Sequence, residues 1–388
     1  MVPRTEETAM NATPRSGLQL RSLIRPDAVL EVSLVELPVP APGPDEVLVR
    51  VQATPVNPSD LGLLFGPADL STLRVSGPPE RPVVTAAVPE RAMAGVAGRV
   101  GESMPVGNEG AGTVVAAGSS PAAQALLGRV VAMIGGAMYG QYRAVRAADA
   151  LVLPEGTAPE AGASCFVNPL TALGMVETMR REGHTALVHT AAASNLGQML
   201  NRICMKDGIG LVSVVRRPEQ VELLRGQGAA HVVDASRADF TDALTDALVA
   251  TGATLAFDAI GGGRLAGQIL ACMEAAIGRR QPQAYSRYGS NVHKQVYLYG
   301  MLDTSPTEIV RSFGLAWGVG GWLLFPYLQK LGRESQARLR QRVVDELHTT
   351  FASRYARTLS LAQLLSEAQI RLYAGRATGA KVLVDPSR

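Results

Sequence analysis

From residue 29 the chain alternates. In "VLEVSLVELP" every second side chain is apolar, "PAPGPDE" (40–46) interrupts with prolines and a glycine, and "VLVRVQA" (47–53) resumes the alternation. A period of two marks strands with one face toward a core. Residues 105–154 read the same way, through "AGTVVAAG", "GRVVAMIG", "GQYRAVRA" and "ALVLPEG". Short strands cut by glycines predict an all-β, partly open barrel. Residues 66–105 break the rhythm and read as a long loop-like insertion over one end of that barrel.

The pattern changes near residue 160. "PEAGASCFVNPLTALGMVETM" has helical character, with Pro169 expected to break it near its middle. Beyond it, wholly apolar strands alternate with helices: "TALVHT" (185–190), "SNLGQMLNRICMKDG", "IGLVSVV" (209–215), "PEQVELLRGQG", "HVVD", "DFTDALTDALVATG", "TLAFDAI", "GRLAGQILACMEAAI" and "QVYLYG". Strands without a polar face belong in a parallel sheet covered on both sides. "RESQARLRQRVVDELHTTF" is an amphipathic helix, and "GRATGAKVLVDP" returns to strand. The expected class is α/β, with a partly open β-barrel from 1–165 and 345–388 and a doubly wound parallel sheet from 166–344.

Composition adjusts this picture in three places. The formal net charge of +3 gives no basic field for nucleic acid. Cys165, Cys204 and Cys272 are too scattered for a disulfide framework or a CxxC site, which points to a reducing, cytoplasmic compartment. The polar start of the chain has no apolar signal region and reads as a frayed lead-in. Ser312–Gln329, "SFGLAWGVGGWLLFPYLQ", carries no charge, yet its four glycines and Pro326 suit a buried strand or interface segment better than a membrane span.

The first strand of the α/β half runs directly into "HTAAASNLGQML" (189–200). Small residues between a strand and a helix let backbone approach a pyrophosphate, and the helix start offers N–H groups and the positive end of its dipole. Ala192, Ser194, Asn195, Leu196 and Gly197 are the candidate contacts, in a relative of GxGxxG that keeps one glycine. About 20 residues further on, an NAD site carries an acid for the ribose 2′-hydroxyl. Arg216 and Arg217 stand there instead, and guanidinium groups suit a 2′-phosphate, so the expected cofactor is NADPH.

The order of "VNPSDL" (56–61), "GNEGAG" (107–112), "NPLTAL" (168–173), "AAASNLG" (191–197), "GAAHVVD" (228–234), "FDAIGG" (257–262) and "ATGAKVLV" (377–384) resembles the medium-chain dehydrogenase/reductase superfamily. The resemblance runs over about residues 30–388 and is nearest to its zinc-less quinone oxidoreductases and 2-enoyl thioester reductases. It implies a GroES-like catalytic barrel joined to a Rossmann domain. Zinc alcohol dehydrogenases of the superfamily hold a Cys where this chain has Asn57 and a His where it has Asn108, so no catalytic metal is expected. The implied reaction is zinc-independent transfer of hydride from NADPH to a quinone or an activated enone, with enoyl thioester reduction and non-catalytic NADPH binding as alternatives. By resemblance Asn57 and Asp60 lie on the substrate side, Asn168 and Thr171 approach the cofactor, Gly300 and Met301 follow the strand under the nicotinamide, and Lys381 faces the cofactor phosphates. Tyr139 and Tyr142 are candidates either to reach the substrate or to pack in the core, while Asn108 and Glu109 read as hydrogen-bonding struts. Enoyl thioester reductases place a Tyr at the position of Ala68, and none lies nearby here. Tyr285, Arg287, Tyr288, His293 and Lys294 form an aromatic and basic stretch that reads either as the lining of a cofactor or acceptor pocket or as a plain loop. The apolar edge at 314–324 predicts a symmetric dimer.

Overall fold

A computed structural model describes residues 15–281, 286–375 and 381–388. The chain divides into two compact units, Met1–Phe166 with Ser353–Arg388 and Val167–Ala352. The stretch 345–352, expected with the first unit, lies in the second. Arg202 Nε of the helix Asn195–Asp207 donates to the Thr350 carbonyl at 2.8 Å, and Lys206 pairs with Glu346 at 2.9 Å.

The first unit is built from two sheets. One runs in the order β4 (Asp69–Ser76), β5 (Val83–Ala87), β2 (Val29–Pro38), β1 (Ser16–Ile24) and β6 (Met104–Pro105). Alternation is kept in β1 and β2: Leu20 pairs with Leu34 and Ser22 with Val32, and Leu20, Ile24, Leu30, Val32 and Leu34 fill the core. The other sheet runs β10 (Leu151–Val152), β8 (Val130–Ile134), β7 (Glu109–Ala117), β3 (Glu46–Pro55), β20 (Val382–Val384) and β19 (Arg357–Leu359), with β9 (Tyr142–Arg146) also on β3. Residues 66–105 are not the expected loop. They supply β4 and β5, an antiparallel pair whose second strand hydrogen-bonds along β2, and β6 on the opposite edge. Prolines and glycines hid the pairing, because the strands are short and β4 is mostly exposed.

The second unit is an all-parallel sheet in the order β13 (His231–Asp234), β12 (Gly210–Val215), β11 (Ala186–His189), β14 (Leu255–Asp258), β16 (Lys294–Leu298) and β18 (Trp317–Gly321). Its central strands β11 and β14 are buried at every residue, as wholly apolar runs require. Two short strands, β15 (Gly261–Gly263) and β17 (Asp303–Thr307), pair beside it. Pro169 does not break a helix. It is the third residue of the helix Val167–Arg181, inside the first turn, where a missing N–H leaves no hydrogen bond unmade. The uncharged segment 312–329 divides into β18 and the helix Leu324–Leu331, and among the described residues no helix is long and apolar enough to cross a membrane.

Candidate functional site

In the first unit a short helix, Pro58–Leu64, begins directly after β3 with Asn57 at its N-cap. Asp60 reaches back with one carboxylate oxygen to the Asn57 N–H at 2.8 Å and accepts the Asn108 N–H with the other at 2.9 Å. The Asn57 amide donates to Glu109 at 2.8 Å, and the second Glu109 oxygen accepts the Phe166 N–H at 3.0 Å. The "NPSD" and "GNEG" motifs are thereby one buried network, with Asn57, Asp60 and Glu109 all out of solvent. Burial pushes the Asp60 carboxyl up to about 7, with the charge of Glu109 adding to it against the hydrogen bonds from the two backbone N–H groups. Asn108 donates its amide to Ser59 Oγ at 2.9 Å.

Tyr139 does not offer a reactive hydroxyl. It is fully buried in the apolar core of the first unit, and its OH donates to the Pro55 carbonyl at 3.1 Å. Burial first, and the Asp60 charge second, hold the phenol well above its ordinary pKa. It braces the end of β3. Lys381 is no surface lysine. Its Nζ donates to Ser164 Oγ at 2.8 Å, and Ser164 Oγ lies 2.8 Å from the Tyr355 hydroxyl. Residues 377–380 of the "ATGAKVLV" motif lie outside the described residues.

In the second unit β11 leads into the small-residue turn. Ala191 has φ of 49°, the left-handed region, and Ala192 and Ala193 are buried behind it. Ser194 caps the helix Asn195–Asp207, its hydroxyl accepting the Gly197 N–H at 3.1 Å. Gly197 is required by space: a Cβ there would strike the Ala192 carbonyl oxygen. Leu196 is buried and Asn195 half-buried, so backbone rather than bulk faces outward at this turn. Across the C-terminal end of β12, Arg216 and Arg217 are exposed, and no ion pair among the described residues holds the Arg216 guanidinium. These parts fit a dinucleotide: a cradle that a Cβ would fill, a capped helix start and two exposed cations just after β12.

The remaining cofactor candidates are placed as follows. Asn168 is half-buried in the first turn of its helix, and the buried Thr171 hydroxyl donates to the Val167 carbonyl one turn back. Gly300 follows β16, and a Cβ there would meet the Ala259 carbonyl, while Met301 is 77% exposed. The described part of the basic and aromatic stretch is divided between core and surface. Lys294 is fully buried and paired with Glu274 at 2.6 Å, and Arg287, Tyr288 and His293 are exposed. Tyr285 lies outside the described residues.

Two features escaped the sequence reading. Thr190 Oγ1 donates to Asp258 at 2.6 Å, and the same carboxylate accepts the Ile260 and Gly261 N–H groups, tying the ends of β11 and β14 together. His189 Nε2 lies 2.7 Å from the Tyr299 hydroxyl, and burial pushes the imidazole down to about 3, so it is neutral. A polar pair closing an apolar strand, "HT", was the available signal. Among the described residues no group of three or more His, Cys, Asp or Glu is arranged to hold a metal.

The chain thus combines a two-sheet unit, in which β3 pairs with β20, with a parallel-sheet unit formed by the residues between them. Its fold is similar to that of solved structures described as NADPH:quinone reductases and enoyl reductases. It superposes on the crystal structure of a putative NADPH:quinone reductase from Mesorhizobium loti with a TM-score of 0.70 at 24% identity, covering 97% of this chain and 100% of that one. A mycobacterial structure complexed with NADPH matches with a TM-score of 0.63 at 18% identity, over 95% and 100% of the two chains. In sequence the chain is 31% identical over 233 residues to the mitochondrial enoyl-[acyl-carrier-protein] reductase of Xenopus tropicalis. That match spans 57% of this chain and 57% of the relative's length. No protein-family model matches.

Proposed function

We propose that this protein is an NADPH-dependent, zinc-independent oxidoreductase that reduces a quinone or an activated enone. The observation that carries the reading is the state of two asparagines. By the resemblance, Asn57 and Asn108 stand where zinc-dependent relatives keep Cys and His. Both use their amides as hydrogen-bond donors, to Glu109 and to Ser59. An amide held this way orients a network and does not offer the soft or imidazole donor that zinc prefers. Acceptors that tolerate negative charge without a Lewis acid are the ones left to such a site.

When bound, NADPH supplies the hydride. The chain's part is to hold and orient. The Ala191–Ser194 turn and the start of the helix Asn195–Asp207 take the pyrophosphate, with Ala192, Ser194, Asn195, Leu196 and Gly197 nearest. Arg216 and Arg217 read the 2′-phosphate, and Asn168, Thr171, Gly300 and Met301 flank the nicotinamide half. Asn57 and Asp60 fix the polar wall on the acceptor side. Three free, buried cysteines suit a reducing, cytoplasmic setting, and the open edge of β18 suits a homodimer. The Xenopus relative favours a second reading, reduction of an enoyl thioester.

The test is loss of NADPH absorbance with purified protein, offered quinones, enones and an enoyl thioester in parallel, with NADH as control. Turnover of quinones or enones with NADPH supports the first reading, and turnover of the thioester alone supports the second. Tight NADPH binding without turnover of any acceptor overturns both.

A further inference from the structure

Asp258, the last residue of β14, is a carboxylate with no exposure to solvent, and the reading above gives it no part in holding the cofactor. One oxygen accepts the Thr190 hydroxyl at 2.6 Å and the Ile260 N–H at 2.9 Å, and the other accepts the Gly261 N–H at 3.1 Å. These partners are a hydroxyl and backbone N–H groups rather than a cation. A buried carboxylate is costly unless its donors stay in place. The charge and the backbone around it therefore fix one another.

Two segments are fixed in this way, both within the second unit. The first is the small-residue turn. Thr190 stands directly before it, and the Thr190 N–H donates to the Phe257 carbonyl at 3.1 Å. The Thr190 hydroxyl donates to Asp258 and accepts the Ala259 N–H at 2.8 Å. Ala191, next in the chain, holds a φ of 49°, which a residue with a Cβ keeps only where its neighbours are clamped. Beyond it the Ala192 N–H donates to the Val214 carbonyl at 3.2 Å. The turn is thus held from β14 on one side and β12 on the other, and Asp258 supplies the β14 hold. The second segment is the loop 259–263. Gly261 has a φ of 82°, and a Cβ there would meet the Gly300 carbonyl oxygen at 2.7 Å. The Leu302 and Asp303 N–H groups donate to the Ala259 and Ile260 carbonyls at 3.2 and 2.9 Å, so this loop carries the segment after β16 with it. Ile260, Gly262 and Gly263 also wall a cavity of about 410 Å³.

In open parallel sheets ligands bind outside the carboxyl ends of the strands, and both segments lie at those ends. We propose that Asp258 is a positioning residue for the dinucleotide. Its oxygens are taken by protein donors, so it acts through them. By way of Thr190 it sets the phosphate turn, and by way of the Ile260 and Gly261 N–H groups it sets the loop beside the turn. The proposal rests on the cofactor reading above. Its effect differs in kind from that of Arg216 and Arg217. Those two answer to a 2′-phosphate, whereas Asp258 shapes what every adenine dinucleotide would share.

Asp258→Asn keeps the size of the side chain but turns one acceptor oxygen into an amide NH₂ facing donors. Calorimetry with NADPH, NADH and ADP as probes should show Kd raised about 10-fold or more for all three. Thr190→Val, which drops the hydroxyl, should act in the same direction, and Thr190→Ser, which restores it, should stay within about two-fold of the native protein. The double variant Asp258→Asn, Thr190→Val should lose less affinity than the two single losses combined, since the pair acts as a unit. A carboxylate serving stability alone would lower the urea midpoint and leave the Kd of the folded protein unmoved. Native-like ADP binding by Asp258→Asn, weakening confined to NADPH, or fully additive losses would each overturn the positioning role while the cofactor reading stands. If Asp258→Asn does not fold, Thr190→Val decides on the same terms. If the native protein binds neither NADPH nor ADP, the cofactor reading falls and the positioning role falls with it.

Discussion

Asp60 ties together two motifs that lie far apart in the sequence. Its position after "NP" marks a helix start, yet its carboxylate also bridges to the Asn108 backbone, a partner 48 residues away. Long-range partners of that kind have no periodic signal. Because the native carboxyl titrates near 7 and a free one near 3.8, the folded state binds more protons between those values. Its contribution is present at low pH and is lost as pH rises through about 7. Asp60→Asn removes one of two acceptor oxygens and should cost about 1–3 kcal/mol. In urea titrations the native protein's advantage over the variant should shrink between pH 4 and pH 8, and a constant gap would count against a proton on Asp60. Arg216 and Arg217 act at the same scale. Each charge-assisted bond to a phosphate contributes about 1.5–3 kcal/mol. Replacing both with Ala should raise the Kd for NADPH by more than 10-fold while that for NADH hardly moves. Equal weakening of both, measured by calorimetry, would remove the 2′-phosphate role.

At the scale of elements, the legible parts were those with a strong period. The buried strands β11, β12 and β14 and the helices between them follow from uninterrupted apolar runs and their punctuation. Where local composition opposes pairing the sequence was silent: β4 and β5 are strands because β2 offers a free edge, not because their residues alternate. Lys294 stood in a stretch open to a pocket or a loop reading, because sequence does not reveal that Glu274, on the preceding helix, faces it. The turn proposed to hold the dinucleotide keeps one glycine, and the local geometry makes that glycine necessary. Gly197→Ala puts a methyl against the Ala192 carbonyl and should cost about 1–3 kcal/mol of stability as overpacking does. The rise in melting temperature that NADPH gives should shrink in the variant, since a displaced turn binds phosphate less well. An unchanged rise would show that the turn is not where the cofactor is held.

For the whole molecule, β18 matters most. Among the described residues it is the last strand of its sheet, paired to β16 on one side, and Leu323 beside it is 62% exposed and Phe325 50% exposed. An open strand edge with apolar neighbours is a pairing surface, and a second copy related by a two-fold axis satisfies it without leaving another edge free. The double variant Leu323→Lys, Phe325→Lys should sediment as a monomer with its fold intact by circular dichroism. A native protein that already sediments as a monomer would sink the dimer.

The first unit is assembled from both ends of the chain: Thr54 and Pro55 of β3 pair with Val384 and Leu383 of β20. A ribosome delivers one partner long before the other. The parallel sheet, whose residues all emerge in between, can complete itself while β3 waits with one edge partly open, and closing that pair means closing a loop of nearly the whole chain. Synthesis therefore leaves that edge of β3 without its native partner until β20 has emerged.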